Sequence, residues 1–251
     1  MAKPLLAGNW KMHGTEESTR LLAGRISAGV TSSTSAPEIV VFPSLVHLPA
    51  VIDELRGKTG IAVGAQNCSQ HTQGAFTGEV SAQMLVDIGC SHVLVGHSER
   101  RVLYAETNEQ VAEKFAVAQS AGLIPILCVG ETLIERQQGQ TVDVVRQQIA
   151  AVAKLVGIAN ICQAVVAYEP VWAIGTGETA TPQQAQEVHA DIRAQLGNQG
   201  ISTPLLYGGS VNADNAYALF AQPDIDGGLV GGASLEAQQF LEIAQQITEQ
   251  K

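Results

Sequence analysis

Eight short, continuously apolar runs recur along the chain, near residues 5–8, 38–42, 60–64, 92–95, 123–129, 162–167, 204–207 and 227–230. A run that does not alternate apolar with polar residues needs cover on both faces, as a strand in a parallel sheet does. Between several runs lie helical spacings: Val80, Met84 and Ile88; Val111, Phe115 and Ala118; Ala185, Val188, Ile192 and Leu196. Strand alternating with helix means right-handed crossovers and an α/β layer fold, either an open doubly wound sheet or a closed eightfold barrel. Eight units in 251 residues fit the barrel.

The ends of the runs separate the two architectures. Asn9 and Lys11 follow the first, His97 and Glu99 the fourth, Glu169 the sixth, Gly209-Ser210 the seventh and Gly231-Gly232 the eighth. In an open sheet the ends of the first and last strands lie far apart, whereas in a barrel they meet at one rim. The expectation is a single (β/α)8 barrel domain over residues 1–251, with these residues gathered in one site.

No Pro/Gly/Ser-rich linker divides the chain, and Thr31-Ser32-Ser33-Thr34-Ser35 reads as a surface turn. Acidic residues outnumber basic ones, 24 to 14, for a net charge of −10. That excess argues against nucleic acid or an anionic membrane as partner, so an anionic substrate has to be held by local groups. Cys68, Cys90, Cys128 and Cys162 form no CxxC pair and no metal-ligand spacing, which reads as buried, reduced thiols in a cytoplasmic protein. No stretch approaches the roughly 18 to 20 apolar residues of a membrane span.

Asn9-Trp10-Lys11 continues a strand alternation, so Asn9 and Lys11 point the same way and supply a neutral donor and a cation to one spot. Taken singly, Lys11 reads more readily as a solvated surface charge. His97 ends Val93-Leu94-Val95-Gly96 and precedes a helical turn, whose amides disfavour imidazolium and keep the ring neutral. His13, His47, His71, His92 and His189 read as incidental residues of loops or helices. Glu169 stands between an apolar strand and Pro170-Val171-Trp172, and an apolar cover closing there would desolvate the carboxylate and strengthen it as a base.

Gly175-x-Gly177-x-x-Ala180 has the spacing of a dinucleotide fingerprint, but residues 168–174 separate it from the strand. Thr181-Pro182-Gln183-Gln184 then places a helix N-cap after it. Residues 169–180 are better read as a mobile lid. Gly208-Gly209-Ser210 and Gly231-Gly232-Ala233-Ser234 follow the seventh and eighth strands, where barrels commonly hold a phosphate on backbone amides. The bland reading of these glycines is turns and caps.

Seven stretches in order resemble the triosephosphate isomerase family over essentially the whole chain. They are Gly8-Asn9-Trp10-Lys11-Met12, Gly64-Ala65-Gln66-Asn67, Ala75-Phe76-Thr77-Gly78-Glu79, Gly96-His97-Ser98-Glu99-Arg100-Arg101, the stretch from Tyr168-Glu169-Pro170 to Gly177, Tyr207-Gly208-Gly209-Ser210 and Leu229-Val230-Gly231-Gly232-Ala233-Ser234. The resemblance implies a cofactor-free, metal-free homodimer that interconverts dihydroxyacetone phosphate and D-glyceraldehyde 3-phosphate in glycolysis and gluconeogenesis. It implies Glu169 as the base, His97 as a neutral electrophile, and Lys11 and Asn9 as stabilisers of the enediolate. Gly175, Ser210, Gly231 and Gly232 are implied as phosphate holders. Glu99 and Thr77 take supporting places, Thr77 on a loop reaching into the partner subunit beside Asn9 and Lys11.

Three departures stand out. His13 replaces the family's usual Asn, Glu178 stands where Lys is frequent, and Ser69 to Gln73 follow no one family form. Two rivals remain at this point: an aldolase using Lys11 as a Schiff-base amine, and a binding protein that keeps the fold without catalysis.

Overall fold

The structure, a computed structural model, describes residues 2–30, 36–174 and 179–250. Its strands are β1 (Leu5–Asn9), β2 (Glu38–Phe42), β3 (Ile61–Ala65), β4 (His92–Val95), β5 (Ile124–Val129), β6 (Val165–Tyr168), β7 (Leu205–Tyr207) and β8 (Gly227–Val230). They pair in parallel in chain order, and β8 returns to β1, so the sheet closes into the expected (β/α)8 barrel. At the seam Leu5 registers with Gly227. A Cβ on Gly227 would lie 1.8 Å from the Leu5 carbonyl oxygen, so only glycine lets the last strand dock on the first. Each apolar run lands on a strand. The run near 162–167 is shortened at its front, because Ile158–Ile161 form a helical turn and β6 begins at Val165.

Successive strand residues face opposite ways, which sorts the apolar side chains into two layers. Leu5, Ala7, Val165, Ala167, Leu206 and Leu229 pack together as the filling of the barrel. Leu6, Val166, Leu205 and Val230 belong to the layer beneath the helices. Each such valine or leucine, fully removed from water, contributes about 1.5 to 3 kcal/mol. The inward parity ends on Asn9 in β1 and, continued past the strand ends, reaches Glu169 from β6, Ser210 from β7 and Gly231 from β8. The barrel filling and the polar rim are therefore one alternation.

The helix Pro182–Leu196 starts as its sequence predicts. The Thr181 side chain accepts from Gln184 N, and Gln184 Oε1 accepts from Thr181 N at 3.0 Å. Ala185, Val188, Ile192 and Leu196 are buried on it, as are Val111, Phe115 and Ala118 on Asn108–Ala121. The spacing Val80, Met84, Ile88 does not mark a buried face. Ser81 caps a helix that begins at Ala82, so Val80 lies outside it; Ala82 and Leu85 are buried, and Met84 is 57% exposed. Among the described residues no helix is long and apolar enough to cross a membrane.

Candidate active site

A cavity of about 380 Å³ opens at the C-terminal rim of the barrel, with Asn9, Lys11, His97, Glu169, Ser210 and Gly231 in its wall. Residues predicted from five separate strand ends thus meet around one space, and Gly232 joins them.

Glu169 is buried, yet its carboxylate is well partnered. Its Oε2 accepts from Ser98 N at 2.8 Å, and its Oε1 lies 2.9 Å from His97 Nε2. Its backbone is gripped from both sides, Glu169 N donating to Val129 O and Gly208 N to Tyr168 O, each at 2.7 Å. The end of β5 presses so closely that a Cβ on Gly130 would meet the Glu169 carbonyl oxygen at 1.8 Å. Burial disfavours charge on Glu169, but the adjacent His97, the Ser98 amide and Lys11 together hold the carboxyl below its ordinary value.

His97 caps the helix Ser98–Leu103, its Nδ1 accepting from Glu99 N at 3.2 Å. An accepting Nδ1 assigns the proton of the neutral ring to Nε2, which donates to Glu169. Burial opposes a second proton on the ring, whereas the Glu169 carboxylate favours one, and the net direction is above the ordinary histidine value. The sequence argument for a neutral ring considered the helix amides alone. The structure adds a carboxylate that pulls the other way for as long as it touches the ring.

Lys11 has the left-handed backbone, φ 50°, that side chains other than glycine adopt at a cost of about 1 to 3 kcal/mol. Three bonds hold it there: Lys11 N donates to Asn9 Oδ1 at 3.0 Å, and the Lys11 carbonyl accepts from Gln66 Nε2 at 2.7 Å and Ser44 Oγ at 2.8 Å. Its Nζ pairs with Glu99 Oε1 at 2.6 Å. The ammonium also lies 3.9 Å from where a Cβ on Gly231 would stand, so the cation sits beside the β8 glycine turn.

The family model of triosephosphate isomerase matches residues 4–247. The chain belongs to that family. Among its relatives, the triosephosphate isomerase of Stenotrophomonas maltophilia (strain K279a) is 53% identical over 97% of this chain and 98% of its own length. That of Dechloromonas aromatica (strain RCB) is 55% identical over 97% and 98%. That of Alcanivorax borkumensis (strain ATCC 700651 / DSM 11573 / NCIMB 13689 / SK2) is 54% identical over 96% and 97%.

Within this triosephosphate isomerase family member, Thr77 lies in an exposed loop after β3 and outside the cavity wall. Gly175 and Glu178 fall outside the described residues. His13 is exposed in the turn after β1. His92 is corrected from loop or helix to the first residue of β4, and it is buried. Sequence reasoning left Ser44 unnoticed and gave Gln66 no role beyond its stretch. It also missed Glu131, which is fully buried and accepts from Tyr168 Oη at 3.1 Å and Trp172 Nε1 at 2.9 Å. Arg136 pairs with that carboxylate and stacks 4.4 Å over the Trp172 ring. The segment following Glu169 is thereby fastened to the end of β5 by a buried acid that no local spacing announces.

Proposed function

We propose that this chain interconverts dihydroxyacetone phosphate and D-glyceraldehyde 3-phosphate through an enediolate, serving glycolysis and gluconeogenesis. The observation that carries the reading is the meeting of Glu169 and His97, 2.9 Å apart, in a cavity walled on its other side by Lys11, Ser210, Gly231 and Gly232. Glu169 takes a proton from the carbon beside the carbonyl, the electron pair moves onto oxygen, and His97 Nε2–H with Asn9 and Lys11 meets the charge formed there. The proton then returns to the neighbouring carbon, so the reaction is neutral in protons and electrons. Positioned general-base catalysis supplies about 10²- to 10⁴-fold. Each preorganised donor facing the developing oxyanion adds about 3 to 4 kcal/mol, which makes the donors the larger share.

The resting bonds of Glu169 to Ser98 N and His97 have to give way for this, since the carboxylate must face carbon instead. A cover over Trp172 and Gly175 that expels water would strengthen both the base and the donors, and would retain the enediolate until it is protonated. Lys11 is bound in an ion pair with Glu99, which favours a fixed cation over the free amine that an aldolase reaction needs. Ser210, Gly231 and Gly232 take the phosphate on main-chain N–H groups, Gly175 joining from the cover.

The working unit in this reading is a cytoplasmic homodimer. Free, buried Cys68, Cys90, Cys128 and Cys162 support a reducing compartment. Exposed Met12, Val46, Phe76, Val102, Leu103 and Tyr104 support an apolar contact surface near the site. A smaller cavity of about 190 Å³ beside Lys11, Glu99 and Tyr104 is the place for Thr77 of a second copy.

The test is turnover of glyceraldehyde 3-phosphate by the purified chain and by Glu169→Asp, which retracts the carboxylate by about one bond. A 1 Å misplacement costs on the order of 100-fold, so kcat is expected to fall that far with KM little changed. A wild-type chain without isomerase turnover would sink the proposal.

A further inference from the structure

The loop after β3 is exposed from His71 through Glu79. Its neck is closed by Ser69 N donating to Val80 O at 2.8 Å. Its other bonds are local: His71 N to Ser69 Oγ at 3.2 Å, then Phe76 N to Gly74 O and Glu79 N to Phe76 O, each at 3.0 Å. Across this framework the His71 ring lies flat on Phe76, with centroids 3.8 Å apart and planes within 4°. The stack joins the outgoing limb of the loop to the returning one, on the residue next to Thr77. Thr77 is exposed and is not among the residues lining the cavity, so a fixed loop shape matters to whatever receives the loop from outside.

We propose that His71 is a positioning residue for self-association: its stack on Phe76 holds the loop ready to present Thr77 to a second copy of this chain. The inference rests on the homodimer reading above. The receiving surface is the cavity lined by Met12, Glu99, Arg100 and Tyr104, which adjoins Lys11. A loop ordered before encounter does not lose that freedom on binding, so the gain appears as tighter association without a new contact between subunits. The sequence alone assigns His71 no such role, because Ser69 to Gln73 follow no one family form and His71 reads as an incidental loop residue.

Sedimentation velocity of the full chain over a dilution series, with specific activity followed on the same samples, tests the idea. His71→Ala is expected to dissociate at roughly ten- to hundredfold higher concentration than wild type, the scale of two aromatic pairs, one in each subunit. His71→Phe keeps a flat ring and is expected to restore the wild-type midpoint. Should His71→Ala dissociate no more readily than wild type, or His71→Phe as readily as His71→Ala, the positioning role is overturned. A wild-type chain that stays monomeric at every concentration defeats the homodimer reading itself, and shows this without any variant.

Discussion

Lys11 shows how much of a functional residue lies outside its own side chain. Its cation is useful only where the left-handed turn aims it, and that turn is held by the Gln66 amide, which also donates to Phe42 O at 2.8 Å. Gln66→Ala removes both bonds, leaving Lys11 O only the Ser44 hydroxyl and Phe42 O only Trp10 N as donor. The expected result is a loss on the order of tenfold in kcat/KM and about 1 to 3 kcal/mol of stability. Steady-state kinetics beside urea unfolding reads both, and unchanged kinetics would show that Lys11 holds its turn without help. Asn9 and Glu169 were legible because each continues the inward alternation of an apolar strand, whereas Lys11 and His97, at left-handed turns (Lys11 φ 50°, Gly96 φ 74°), were legible only by their place just past a strand end. Ser44, Gln66 and Glu131 were not, because their partners are distant in the chain and become neighbours only when the ring is closed.

Elements differ in how far their local grammar carries. The start of Pro182–Leu196 is written in four consecutive residues, and the capping box forms as read. Thr181→Ala is expected to cost about 1 kcal/mol, lowering Tm by about 2 to 4 °C in a chain of this size. The anchor of the segment after β6 obeys no such grammar. Glu131→Ala removes the buried carboxylate that accepts from the Tyr168 hydroxyl and pairs with Arg136. Breaking a buried ionic group of this kind costs about 3 to 5 kcal/mol, or on the order of 10 °C in Tm. Calorimetry of the two variants together is decisive, since equal shifts would mean that Glu131 is no more than another cap. The misread Val80, Met84, Ile88 stripe belongs at this scale too: the pattern has helical period, but Ser81 sets the phase by capping one residue after Val80.

At the scale of the whole molecule, burial makes folding depend on pH. His92 and His189 are both held below the ordinary value of 6.5 by burial. The unfolded chain then takes up protons that the folded chain refuses, so stability falls as pH drops through 6.5 and below. His97 is raised and acts in the opposite sense, its contribution being present below 6.5 and lost as pH rises past its folded value. The two buried rings are expected to outweigh the one. Urea midpoints should therefore be lower at pH 5.5 than at pH 7.5, and His189→Gln should narrow the gap. Equal midpoints for wild type would show that the rings titrate freely. The eightfold plan was the most legible feature of all, because it repeats along the chain and each repeat supports the others. The closure itself was less so, since the glycine that permits it gives no sign of which distant carbonyl it must admit.

That closure also dictates timing. The lysine after the first strand and the glycines after the last come together across the seam between β1 and β8. During synthesis the cation therefore leaves the ribosome more than two hundred residues ahead of the turn it will face. No nascent chain ending before residue 232 holds both sides of the cavity wall, so the candidate site is completed all at once and late.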